Sequence, residues 1–286
     1  MNFSIPSNCW TIINGIEASI KAKITEYGKK LSEWNISIYR GILTGYNEAF
    51  IIDSKKKDVL IQEDPKSAKI IRPILRGRDI KKYEYSFADL WLINMHNGIK
   101  EKGIPPIDIE NYPAIKKHLD KYFPLLKNRA DKGDTPYNLR NCAYMDDFSK
   151  QKIIYPETTQ GAYFIVDNGE FYIDKTCFCM IAENPFYLIA TLSSQLFEFA
   201  YKHLFSSIEL GTNGYQYNKH ALVLLPIITP ETIDKDTFNK MQSLAKEAMY
   251  STSLQKKKDA IQNIDQIIYK LYDISENEVD YIKNGL

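Results

Sequence analysis

KIIYPETTQGAYFIVDNGEFYIDKTCFCMIA at 152–182 decides the fold class. It breaks into KIIYPETT at 152–159, AYFIVD at 162–167, FYID at 171–174 and TCFCMIA at 176–182, four short runs rich in β-branched and aromatic residues. Such side chains suit a pleated, half-buried surface, and runs of this length bounded by polar breaks predict strands. Asp167-Asn168-Gly169 between the second and third runs predicts a hairpin turn, because Asn and Gly tolerate left-handed backbone.

Toward the C-terminus, Pro185 opens an apolar helix through Ile189, Leu192, Leu196, Phe199 and Tyr201, expected to be central to the core. GTNGYQYNKH at 211–220 is polar and leads into ALVLLPIITP. Beyond Pro230, Phe238, Met241, Leu244 and Ala248, then Ile261, Ile264, Ile267, Ile268 and Leu271, trace two amphipathic helices with a polar face at Lys256, Lys257 and Lys258. Toward the N-terminus, a helix is expected from Pro113 to Arg129, and WLINM at 91–95 reads as a buried strand. A short helical or looped segment follows Asp64-Pro65, and Arg76-Gly77-Arg78-Asp79 forms a turn. GILTGYNEAFIID at 41–53 predicts a tight turn between strands, and the spacing from Ile12 to Leu31 predicts a helix. The expected fold is α+β: a linker helix at 1–33, a mixed β-rich core at 34–228 and a helical segment at 229–286.

Composition narrows the function classes. The 286 residues carry 37 Lys+Arg against 36 Asp+Glu, so any nucleic-acid role must rest on local basic patches. Cys9, Cys142, Cys177 and Cys179 and the four histidines are scattered without metal-knuckle spacing, which points to a reducing cytoplasm and no bound metal. No apolar run approaches the ~18 residues a membrane span requires, so a membrane partner is not expected. No Walker loop, HExxH or G-x-S-x-G occurs, and no catalytic residue is assigned. A methyltransferase would need a glycine-rich cofactor loop and an Asn/Asp-Pro-Pro-aromatic corner. Glu183-Asn184-Pro185-Phe186 lacks one proline and is better explained as a helix start. For a Mg-dependent nuclease, Asp174-Lys175 and Glu170 come nearest, but their spacing is that of a hairpin with solvated charges.

Basic residues gather in two spans: Lys55, Lys56, Lys57, Lys66, Lys69, Arg72, Arg76, Arg78, Lys81 and Lys82, then from Lys116 to Lys152. Such patches can neutralise phosphates. Three polar loops offer side chains suited to base edges: Tyr137, Asn138 and Arg140; Thr158, Thr159 and Gln160; and Asn213, Tyr215 and Gln216. With Lys55, Lys56, Arg76 and Arg78 these are the candidate DNA contacts. Gly41, Gly45, Gly77 and Asn47 are expected to serve the fold. For Arg76 and Arg78, an ion pair with Asp79 and a phosphate contact stay open.

GILTGYNEAFIID at 41–53, IIRPILRGRDIKKY at 70–83, RADKGDTPYNLR at 129–140, KIIYPETT at 152–159 and GYQYNKHALVLLPI at 214–227 follow one another in the order of a known set of blocks. Together they resemble the TaqI-like C-terminal specificity domain of N6-adenine DNA methyltransferases and type IIG restriction-modification enzymes. IDQIIYKLYDISENEVDYI at 264–282 resembles the helix that closes such chains. The resemblance implies a sequence-specific module for double-stranded DNA, working with an N6-adenine methyltransferase domain or subunit. S-adenosylmethionine and Mg would be needed only by domains absent from this chain, which is then expected to be a fragment or a detached subunit. The competing readings are a protein-interaction scaffold that docks a methyltransferase subunit and a stand-alone nuclease.

Overall fold

Strands form where the β-branched runs place them, and the computed structural model describes residues 14–205, 209–210 and 214–286. Cys9, Ile12, Ile13 and Asn213 lie outside the described residues. Lys152–Pro156 pairs antiparallel with Ile165–Asp167 on one side and Cys177–Ile181 on the other, and Ser37–Arg40 closes the sheet. Cys179 lies between Ile154 and Tyr39 in register. A second sheet runs in the order Tyr172–Ile173, Ile71–Leu75, Leu90–Ile93 and Ile51–Asp53, with only its first pair parallel.

The expected hairpin at Asp167-Asn168-Gly169 is not formed. The chain leaves the first sheet at Asp167 and enters the second at Tyr172, beside Ile74. The buried Asp167 carboxylate accepts from the buried Lys152 ammonium and from the backbone N–H groups of Gly169 at 3.2 Å and Phe171 at 3.3 Å. Those bonds curl the chain away from the strand it has just left. The 41–53 stretch likewise connects two sheets, through a short helix, Asn47–Phe50. Gly45 turns with φ at +68°. At Gly41 the sheets meet: its N–H donates to the Cys177 carbonyl at 2.9 Å, and a Cβ would lie 1.9 Å from the Asp174 carbonyl oxygen. Only glycine permits that approach.

Helices occupy more of the chain than the sequence pattern foretells. Ser54–Glu63, capped by Asp53, stands where no helix was expected. The helix expected from 113 to 129 divides into Pro113–Leu119 and Phe123–Asn128, because Pro124 has no N–H to donate into the preceding turn. Pro185–Leu192 is buried throughout, and a new helix starts at Gln195 because the Ser194 hydroxyl accepts from Phe197 N. Three helices, Lys235–Tyr250, Leu254–Leu271 and Glu276–Asn284, replace the expected two.

The first helix, Gly15–Tyr27, packs against this C-terminal body. Lys23 donates to Glu278 Oε2 at 2.7 Å, Ser19 to Oε1 at 2.7 Å, and Lys29–Lys30 pairs with Pro226–Ile227. No described helix is long and apolar enough to cross a membrane.

Candidate nucleic-acid interface

Aromatic packing holds the strand end that carries one side of the site. Tyr155, on the central strand of the first sheet, touches Phe164, which meets Tyr217, and Tyr217 stacks on Tyr201 with centroids 4.0 Å apart. Each such pair adds about 0.5–1.5 kcal/mol beyond area burial. Tyr217 N–H also donates to the Glu157 carbonyl at 2.9 Å, so the segment after Gly214 is fixed to the end of Lys152–Pro156. There Thr158–Thr159 pairs with Gly214–Gln216, Thr159 opposite Tyr215 and Thr158 opposite Gln216, and Glu209–Leu210 adds the third strand.

Beside this ribbon stands the turn of RGRD. Asp79 is buried, and its Oδ2 accepts from the Arg76 backbone N at 2.9 Å and from Nε at 2.9 Å, while Oδ1 accepts from Nη2 at 2.7 Å. The hydrogen bond to Asp79 holds the Arg76 guanidinium above its ordinary pKa. Gly77 N–H donates to Thr176 Oγ1 at 2.8 Å, and Thr176 in turn caps onto Asp174. Burial raises the Asp174 carboxyl. Between turn and ribbon opens a cleft of about 350 Å³, lined among others by Arg76, Arg78, Lys81, Thr158, Gln160 and Tyr163. Arg78, Lys81, Thr158 and Gln160 are exposed, and Lys81 Nζ sits 5.4 Å from the Tyr163 ring centroid.

The structure thus brings together Arg76, Arg78, Thr158, Thr159 and Gln160 around one cleft, with Tyr215 and Gln216 on the paired strand. Within that group, Thr159 and Tyr215 serve the fold. The Thr159 hydroxyl bonds Gly161 at its carbonyl and N–H, and Tyr215 is buried among Tyr201 and Tyr217. Arg76 is ion-paired with Asp79, which decides in part the alternative left open by the sequence.

Three other candidates lie apart from the cleft. Asn138 is buried, its amide donates to Ile107 O at 2.9 Å, and its Oδ1 accepts from Thr135 at 2.6 Å. No edge of that amide is free for a base. Tyr137 donates to Asp120 at 2.5 Å, and Arg140 reaches Asp131 at 3.3 Å. The loop that carries them is gripped by buried Arg129, which donates to the carbonyls of Thr44, Pro136 and Asn138 over the Phe50 ring. Burial lowers the Arg129 pKa to about 10.

Lys55 and Lys56 stand in the first turn of Ser54–Glu63, next to the strand at the edge of the second sheet opposite Tyr172–Ile173. Asp174 and Glu170 do not share a site, since Asp174 lines the cleft and Glu170 is exposed outside it. Among the described residues no group of three or more His, Cys, Asp or Glu is placed to hold a metal. Sequence reasoning passed over Tyr163 and left Lys81 in a general basic patch, and also missed Arg40, which pairs with Glu157 beside the cleft. GAY after TTQ, an aromatic three residues after an amide side chain and two after a glycine, was the available signal.

A family model described as the TaqI-like C-terminal specificity domain matches residues 72–227, more than half of the chain. The chain is 20% identical over 251 residues to the type II methyltransferase M.BstVI of Geobacillus stearothermophilus, with 86% of this chain covered and 40% of that protein. Its fold is similar to that of the type IIL restriction-modification enzyme MmeI, solved in complex with DNA: TM-score 0.62 at 14% identity, covering 90% of this chain and 36% of that one. The type IIG restriction endonuclease BpuSI gives a TM-score of 0.54 at 15% identity, with 90% and 33% covered. The chain therefore spans about 40% or less of the length of these relatives.

Proposed function

Since the chain belongs to the TaqI-like C-terminal specificity domain family, we propose that it recognises a specific sequence in double-stranded DNA for a restriction-modification enzyme, with the cleft between the RGRD turn and the 158–160 ribbon as its reading surface. One observation carries this reading: two segments 80 residues apart in sequence, each with exposed polar or cationic side chains, converge on one open cleft, and packed aromatic rings hold the strand end that carries the second segment. Lys81 and Arg78 offer charge for phosphates, which sets register, and Gln160 offers a paired donor and acceptor for a base edge. Tyr163 offers a flat face, with Lys81 Nζ 5.4 Å from its ring centroid.

The chain itself does no chemistry in this proposal. Its nearest approach to an adenine-binding corner, Asn184-Pro185-Phe186, opens a helix whose Pro185 and Phe186 are buried, so the residues present do not fit that role. Adenine N6 methylation, with its S-adenosylmethionine, and any Mg-dependent cleavage belong to other parts of the enzyme, to which the chain delivers the duplex.

The test is a fluorescence-anisotropy titration of a randomised duplex pool at two salt concentrations. Wild type should bind, and weaken with salt; the Arg78→Ala/Lys81→Ala/Gln160→Ala variant should bind at least ten-fold less tightly. A wild-type chain with no affinity for duplex at low salt would overturn the reading and leave the scaffold for a methyltransferase subunit in its place.

A further inference from the structure

The RGRD turn carries two arginines in different physical states. Arg76 is half-buried and held side-on: Nε and Nη2 both face the Asp79 carboxylate, and the turn beneath is pinned by Gly77 to Thr176 and by Ser86 N–H to the Asp79 carbonyl at 2.8 Å. Arg76 also lines the cleft. Nη1 takes part in no hydrogen bond among the described residues, and the outer N–H of Nη2 points along the same end of the plane. Arg78, two residues on, is exposed at the same cleft and makes no ion pair among the described residues.

A guanidinium fixed side-on by a carboxylate keeps its end-on pair of N–H groups aligned, with little rotamer freedom left to lose. That is what a bidentate contact to O6 and N7 of guanine requires. The same carboxylate neutralises its charge, so it is a poor partner for a phosphate. A loose, unpaired arginine has the converse properties: full charge for counterion release and no fixed plane for discrimination. We infer that Arg76, buttressed by Asp79, reads a guanine edge in the major groove, and that Arg78 contacts phosphate without selecting sequence. This assignment rests on the cleft being the DNA-reading surface.

Two readouts separate the roles. The 286-residue chain is equilibrated with duplexes carrying a randomised core, the bound fraction is sequenced, and affinity for the enriched duplex is followed against salt. Wild type should enrich a site with guanine at a fixed position. Arg76→Lys should lose that preference by roughly ten-fold or more while the other positions and the salt slope stay as they were. Arg78→Ala should keep the guanine and lower the slope of log affinity against log salt by about 0.9, one phosphate contact. Asp79→Asn keeps the Arg76 side chain but frees its charge, so it should weaken guanine selection and steepen the slope. Circular dichroism on each variant confirms that it folds, and Asp79→Asn and Arg78→Ala decide the matter if Arg76→Lys does not fold. A guanine preference that survives Arg76→Lys, one that disappears with Arg78→Ala, or wild-type enrichment without guanine overturns the assignment alone. Absence of any wild-type binding at low salt overturns the recognition reading and this assignment with it.

Discussion

The loop at 129–140 and the cleft segment at 156–163 look alike in composition, yet the fold treats their polar groups in opposite ways. In the first, Asn138 is buried with its amide fully engaged, and Arg129 is buried across three carbonyls. In the second, Thr158 and Gln160 are exposed, and only Thr159 turns inward. The difference arises from what lies beneath. Under 158–160 the aromatic pile of Tyr155, Phe164 and Tyr217 fixes the backbone, so side chains above are left free. The 129–140 loop has no regular partner strand beyond the single Lys132–Leu139 bridge, and its own polar side chains must satisfy the backbone.

That contrast breaks first at Arg129. Arg129→Met should strand the carbonyls of Thr44, Pro136 and Asn138 and lower stability by about 3 kcal/mol or more, read by urea denaturation; a loss under ~1 kcal/mol would show that water replaces the guanidinium and that the loop is not held as described. Asn138→Ala should destabilise by ~2 kcal/mol for its lost buried hydrogen bonds, with the affinity of the folded protein for duplex unchanged. Gln160→Ala should reverse that pattern, with stability within about 0.5 kcal/mol of wild type and affinity for the preferred duplex down by about ten-fold. Equal effects of the two substitutions on binding would erase the distinction between the regions.

Acid supplies a control that touches neither region. Burial opposes the charge on Glu278, but hydrogen bonds from Lys23, Ser19 and Ser275 outweigh it and hold the carboxyl at about 2, below its ordinary 4.5. A depressed folded pKa means that this stabilisation is complete above the unfolded value and is lost as pH falls from about 4.5 toward 2. Thermal unfolding between pH 5 and pH 3 should therefore show a falling Tm, and Glu278→Gln should flatten the fall. The smallest effect is expected at Arg140, exposed and 3.3 Å from Asp131: Arg140→Ala should shift stability by no more than ~0.5 kcal/mol, and a large loss of DNA affinity there would restore the 129–140 loop as a reader.

Much of this was legible. The runs at 152–156, 165–167 and 177–181 are strands, the RGRD turn is a turn, and Pro185 starts a helix. Local chemistry suffices for each: β-branched residues prefer extended backbone, and proline at a first turn gives up no hydrogen bond. The helix Ser54–Glu63 was missed because SKKKDVLIQE buries only Leu60 and so shows no apolar stripe, although Asp53 caps it. The hairpin at 167–169 failed because its turn residues are the same whichever sheet the chain enters next.

What the sequence by itself determined is the α+β class, the family and the polar and basic residue types that the loops carry. Which of those residues reach solvent together was decided by tertiary structure alone. Arg76 and Arg78 have the same side chain two positions apart, but one is half-buried and ion-paired with Asp79 while the other is exposed with no ion pair among the described residues. Asn138 and Gln160 carry the same amide, and only the backbone groups around each determine whether it is already engaged. Hydrogen-bond satisfaction is a property of the folded neighbourhood, so no pattern confined to the chain can report it.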